Sequence, residues 1–187
     1  GLWTASIPGG ADDVALAPSG ALGYVASSQS RSVSVVDLRD GSVRSTITVA
    51  AGADALAVTP DGAQVWVMSS GGEQNLTGPP SSRNAGTLTV ISARTLPIDI
   101  EQMAINRSRL TFPRLSLDAG EALIAATDDD RGALAIINLR DQEVVSTTAL
   151  GAVCAHGALI VVGLAVATDT RRAYVINECL GSSGILT

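Results

Sequence analysis

Apolar and polar residues alternate in short runs along this chain, and the runs recur. Val33-Ser-Val35 and Thr46-Ile-Thr-Val49 put apolar side chains at every second position, the spacing of a half-buried antiparallel strand. Ala15-Leu-Ala-Pro-Ser-Gly20 followed by Tyr24-Val-Ala26 returns as Ala57-Val-Thr-Pro-Asp-Gly62 followed by Val65-Trp-Val67. Looser copies are Leu115-Ser-Leu-Asp-Ala-Gly120 with Leu123-Ile-Ala125, and Leu164-Ala-Val-Ala-Thr-Asp169 with Ala173-Tyr-Val175. Pro, Asp, Ser and Gly at the middle of each copy are turn residues, so each copy reads as strand, tight turn, strand.

Two further runs follow each copy and complete a four-strand unit, A to D. The first unit places its strands at residues 14–17, 23–26, 32–36 and 43–49, and the second at 55–58, 64–68, 87–91 and 96–103. The third occupies 114–117, 122–126, 133–137 and 143–150; the fourth has 163–167, 173–177 and the start of a strand C at 184–187. Equivalent strand-B positions are 42 residues apart from Tyr24 to Trp66, then 58 to Ile124 and 50 to Tyr174. A four-stranded propeller blade takes about 40–45 residues. The longer intervals therefore carry insertions, visible at 71–85 and 151–157.

The expected fold is all-β: one β-propeller region over residues 1–187, built from four-stranded antiparallel blades. Three blades are complete, at 11–52, 53–103 and 104–150, with partial blades at 1–10 and 151–187. Residues 2–7 read as a strand D without its blade. The expectation is a piece of a larger ring, because an unsealed array leaves edge strands unpaired. A four-bladed ring closed by joining the two partial blades is the alternative.

Tyr24-Val-Ala-Ser27, Trp66-Val-Met-Ser69 and Tyr174-Val-Ile-Asn177, with Ser32-Val-Ser-Val-Val-Asp37 and Val43-Arg-Ser-Thr-Ile47, resemble the YVTN family of β-propeller repeats. The resemblance covers most of the chain and weakens in the third unit. It implies a propeller, commonly of seven blades and often outside the cytoplasm. Members include surface-layer-like proteins, lactonase-like enzymes and relatives of amine dehydrogenase large subunits. The motif describes strands, so no catalytic residue is carried over with it.

Composition narrows the picture. Apolar residues make up 46% of the chain but aromatics only 3%, so the core is built from Val, Ala, Leu and Ile. The net charge of -6 disfavours a phosphate backbone as partner, and no nucleic-acid binding is expected. Lys is absent from the sequence, which excludes a Lys Schiff base or a P-loop lysine within these residues. No run of about 18 apolar residues occurs, so no helical membrane span is expected. The most apolar stretch, 158–167, reads as a buried strand.

The unit order places B–C and D–A connections on one face, called the top, and A–B and C–D turns on the other. The bottom turns are uniformly short. The long connections at 69–86, 104–113 and 151–159 all lie on the top, where long loops in a compact fold are functional or simply drifting. Arg31, Asn75, Arg83, Arg131 and His156 are the polar binding candidates there. Cys154 and Cys179 also fall on the top, at ends of antiparallel neighbours, which suits a disulfide and hence an oxidising compartment. Two unpaired thiols are the alternative.

Asp128, Asp129 and Asp130 are carboxylates that a Ca²⁺ ion could use. They lack alternating Asp-x-Asp spacing and adjoin Arg131, so a solvated turn is the preferred reading, and no cofactor is expected. His156 is the only histidine, and no Gly-x-Ser-x-Gly, His-Glu-x-x-His or Cys-x-x-Cys occurs. Asn75-Leu-Thr77 and Asn106-Arg-Ser108 match a glycosylation acceptor pattern, one that short matches meet by chance. Trp3 and Trp66 are expected to pack between blades.

The function expected is a non-enzymatic, extracytoplasmic binding or scaffold propeller of bacterial source. Its top loops would engage a protein or glycan, and its flanks the rest of the ring if more blades exist. The alternative is a lactonase-like or amine-dehydrogenase-like enzyme with its site in the central channel.

Overall fold

The computed structural model describes residues 2–50, 52–69, 87–93, 100–104, 111–118, 121–128, 131–138, 141, 143–150, 159–167, 172–179 and 185–186. Its elements are all strands. The first blade is β1 (Asp13–Leu16), β2 (Leu22–Ser27), β3 (Ser32–Asp37) and β4 (Val43–Thr48). The second is β5 (Ala53–Val58), β6 (Gln64–Ser69), β7 (Thr87–Ser92) and β8 (Ile100–Ala104). The third is β9 (Thr111–Asp118), β10 (Glu121–Asp128), β11 (Arg131–Asn138) and β12 (Val144–Leu150). A fourth sheet joins β13 (Leu159–Ala167), β14 (Arg172–Cys179) and β15 (Ile185–Leu186). Each sheet keeps its strands in chain order with antiparallel neighbours, the meander of a propeller blade.

The repeat is visible bond by bond. In the first A–B turn the Gly20 amide donates to the Ala17 carbonyl at 2.8 Å, and in the second the Gly62 amide donates to the Thr59 carbonyl at 2.8 Å. Gly20 and Gly62 both stand at φ 68, the left-handed region that glycine enters without a Cβ penalty. In the C–D turns the Asp37 amide donates to Ser42 O, and the Asn138 amide donates to Glu143 O. The pairing of strands C and D shifts register at matching points, Val35/Val36 and Ile136/Ile137. These bulges are repeated features of the blade rather than defects.

The chain divides into two compact units, residues 1–106 and 107–187, each described by itself. In the first unit, one core joins two blades. Tyr24, Ala26, Val33, Val35 and Ile47 of the first blade pack with Ala53, Leu56, Val65 and Val67 of the second. Tyr24 and Ala26 face this core together because they are two apart on one strand. Burying each large side chain contributes about 1.5–3 kcal/mol, so this seam contributes strongly to the unit's stability, beside the separate burial of Trp66, Met68 and Leu88. In the second unit Val161 and Val175 of the fourth sheet pack with Leu134 and Leu150 of the third blade.

Three details differ from the expectations drawn from sequence. Residues 2–7, expected as a strand D, form no strand; the first strand begins at Asp13. The apolar stretch ending at residue 167 does form a strand, but Val161 is buried while Val162 and Ala165 are exposed. A register shift between Val161 and Gly163 turns Val162 outward. Trp66 is fully buried, whereas Trp3 lies partly exposed against the first C–D turn, its Nε1 donating to Leu38 O at 3.0 Å. Gly41 at that turn has φ 76, and a Cβ there would meet the Trp3 ring at 2.5 Å.

Candidate binding face

Strand register defines the top edge directly. Asp13 at the start of β1 pairs with Ala26 near the end of β2, and Ser27 pairs with Ser32, which pairs with Thr48 at the end of β4. The D–A and B–C connections of this blade therefore leave from one edge. The B–C connections themselves differ greatly. β2 and β3 are joined by residues 28–31, β6 and β7 by residues 70–86, and β10 and β11 by residues 129–130 alone. Variation in chain length is thus greatest on this edge, while the A–B turns of the first two blades and the C–D turns of the first and third share their hydrogen bonds.

Short polar side chains organise the described part of the edge. Ser27 Oγ donates to Pro8 O and Ser69 Oγ donates to Ala50 O, each across 19 residues. Both tie the end of strand B to the segment running into strand A of the same blade. Ser27 Oγ also accepts the Ser30 amide at 3.3 Å. Asp12 Oδ2 accepts the Ser28 amide at 2.7 Å. Asp13 reaches across the seam: its Oδ2 accepts the Leu56 amide of the second blade at 2.9 Å, and its Oδ1 accepts the Val14 amide. These carboxylates satisfy backbone donors at the blade junction.

Arg31 sits at the end of the first B–C connection with φ 54, unusual for a residue with a side chain. Its carbonyl accepts the Val49 amide at 3.0 Å, which fixes the turn, and its side chain is exposed. Asp128 and Arg131 are not loop residues: they are the last residue of β10 and the first of β11, paired with each other. Asp129 and Asp130 between them lie outside the described residues, as do Asn75, Arg83, Cys154 and His156. Cys179 is the last residue of β14, paired with Leu159. Among the described residues no group of three or more His, Cys, Asp or Glu converges, and no helix is long and apolar enough to cross a membrane.

On the bottom edge, Asp37 is the best-buried carboxylate of the described residues. It accepts the Arg39 amide at 2.9 Å and Arg44 Nε at 3.0 Å, and its Oδ2 also takes Arg44 Nη2. The Arg39 amide first, and the Arg44 guanidinium next, hold its carboxyl below the ordinary carboxylate value. This group staples the C–D turn. The ties made by Ser27, Ser69, Asp12, Asp13 and Asp37 escaped the sequence reading. A small polar residue recurring at the end of strand B, as Ser27, Ser69 and Asn177, was the available signal.

Asn177 is fully buried, with neither side-chain atom hydrogen bonded. The hydroxyls of Ser34 and Thr89 are in the same condition, at the same position of strand C in the first two blades. A buried donor or acceptor without a partner costs about 1–3 kcal/mol, so these positions are soft points within their sheets.

No protein-family model matches the chain, and no curated protein sequence matches it either. Among solved structures it is similar to the hydrazine synthase of Kuenenia stuttgartiensis, with a TM-score of 0.70 and 18% identity. That match covers 95% of this chain and 45% of the other, so the chain spans less than half the length of its neighbour. At this identity the likeness shows the fold alone, and the fold is that of β-propeller blades.

Proposed function

We propose that this chain is a YVTN-type propeller region acting outside the cytoplasm as a non-enzymatic binding or scaffold module, with a protein or glycan held by its top-edge connections. The observation that carries the reading is the contrast between the two edges. The A–B turns of the first two blades share one bond, Gly20 to Ala17 and Gly62 to Thr59, and the bottom connections span a narrow range of lengths. Top connections range from residues 129–130 to residues 70–86 on the same four-strand frame. A frame whose connections vary far more on one edge than on the other supports recognition on the more variable edge. Arg31, fixed by its turn and exposed beside that edge, supplies a donor fork suited to carboxylates or hydroxyls.

The test replaces residues 70–86 with the four-residue connection Ser28-Gln-Ser-Arg31 of the first blade and compares both proteins on a glycan array and a panel of cell-surface proteins. The reading expects wild-type binding that the shortened variant loses while keeping its strand circular dichroism. Turnover of a lactone or an amine by the wild-type chain would overturn it in favour of an enzyme.

A further inference from the structure

Two Asp-Gly pairs occur in the chain, Asp40-Gly41 and Asp61-Gly62. Each sits in a bottom turn, the first in the C–D turn of blade one and the second in the A–B turn of blade two. Fold and chemistry conflict at these pairs. Gly41 and Gly62 stand at φ 76 and 68, where a side chain is strained, and the Trp3 ring fills the space a Cβ of Gly41 would need. The turns therefore require glycine. Glycine is also the residue that least shields its own amide nitrogen from the carboxyl of the residue before it. In an open chain that nitrogen, on losing its proton, attacks the Asp Cγ. An N–C bond forms, one carboxyl oxygen leaves as water, and the main chain closes into a five-membered succinimide. Water then opens this ring at either carbonyl, and one of the two products routes the main chain through the Asp Cβ and Cγ. The mass is unchanged, and no reagent besides water takes part.

The folded turns oppose both halves of the ring closure. The Gly62 amide donates to Thr59 O at 2.8 Å, and the Gly41 amide donates to Asp37 O at 2.8 Å, so each attacking nitrogen is already committed as a donor. The carboxylates are held as well. Asp40 Oδ1 accepts the Ser42 amide at 2.9 Å. The Ser42 hydroxyl first, and its amide next, keep the Asp40 carboxyl below the ordinary carboxylate value, which leaves less of the neutral acid from which oxygen departs. Asp61 Oδ1 accepts the Ala63 amide at 3.0 Å and Thr59 Oγ1 at 2.7 Å. Thr59 is itself buried, and its hydroxyl accepts the Gln64 amide at 3.0 Å. Anchored to the strand on one side, that hydroxyl spends its proton on the carboxylate.

We propose that Asp40 and Asp61 are latent sites of backbone isomerisation that their own turns hold closed, with Thr59 as the positioning residue that guards Asp61. Both pairs are inert while the turn is formed and convert when it opens locally. Conversion lengthens the main chain by one carbon between Asp61 and Gly62, which removes the spacing that the Gly62 bond to Thr59 O depends on. A turn that has isomerised therefore does not close again in its original form.

The 187-residue chain is aged at body temperature and neutral pH, once folded and once in concentrated urea, and peptide mapping that separates aspartyl from isoaspartyl isomers is read at both pairs. Conversion at both should be about tenfold slower in the folded chain. Thr59→Val keeps the shape of the side chain and removes its hydroxyl; it should speed conversion at Asp61 about fivefold and leave Asp40 at the wild-type rate. Thr59→Ser keeps the hydroxyl and should stay near wild type. Equal rates in the folded and unfolded chains overturn the proposal that the turns hold these pairs closed. A wild-type rate at Asp61 in Thr59→Val, or a Thr59→Ser variant as fast as Thr59→Val, overturns the role of Thr59. Should Thr59→Val lose its strand circular dichroism, Thr59→Ala takes its place, and a rise at Asp40 matching the rise at Asp61 in that variant counts against a local guard.

Discussion

Removing the Asp13 carboxylate should loosen the seam between the first two blades without touching its apolar core. Asp13 Oδ2 accepts the Leu56 amide across 43 residues of sequence, and Leu56 is almost fully buried. In Asp13→Ala the Leu56 donor loses its acceptor at a site water reaches poorly. A hydrogen bond to a charged group contributes about 1.5–3 kcal/mol, and a stranded buried donor costs a similar amount. Asp13 is only half buried, so solvent partly compensates, and we expect a loss of roughly 2 kcal/mol. For a unit of about this size each kcal/mol lowers Tm by ~4–8 °C, so the midpoint should fall by roughly 8–16 °C. Asp13→Asn keeps a neutral acceptor and should lose about half as much. Tryptophan fluorescence reads this unit selectively, because Trp3 and Trp66 are the only tryptophans and both lie within residues 1–106. A change below about 0.5 kcal/mol for Asp13→Ala, within the range of ordinary surface substitutions, would refute the assigned bridging role. So would an Asn variant as unstable as the Ala variant.

Two further outcomes follow from the same network. Ser69→Ala removes the tie to Ala50 O and should cost about 0.5–1.5 kcal/mol in urea unfolding, with Ser27→Ala costing a similar amount through Pro8 O; no loss in either variant would remove the tie from the account. Asp37 has its folded pKa held below its unfolded value of about 3.9, so its contribution is complete above that pH and is lost as pH falls through the lower folded value. Asp37→Asn should therefore flatten the acid limb of the stability profile below about pH 4, and an unchanged limb in that variant would contradict the assignment.

Much of the fold was readable from residues alone because its signals are local. Pro60-Asp-Gly62 announces a turn through the conformational freedom of Gly62, and the alternation in Val33-Ser-Val35 announces a strand, whatever lies nearby. The strand boundaries expected for β2, β3, β4, β6 and β7 match within a residue. The bulge in β13 was not readable, since an apolar run gives no sign of which valine the register shift turns outward. The candidate face was readable only as a location. Asp12 and Asp13 carry no local signal of their roles, and Asp128 and Arg131 read as loop residues, because their partners are fixed by folding rather than by neighbours in sequence.

By itself, then, the sequence determined the four-strand unit, its repeat spacing, its small-residue core and the edge on which chain length varies. Each of these rests on side-chain period, turn chemistry or composition, which act within a few residues. Within each unit, tertiary structure decided which strand faces meet the neighbouring blade, and so why Leu56 is enclosed while Val14 is exposed. It also decided that Asp13 serves the Leu56 amide rather than a ligand. Those outcomes depend on what lies opposite in space, and alternation along a strand is identical whether the opposite surface is another blade or water.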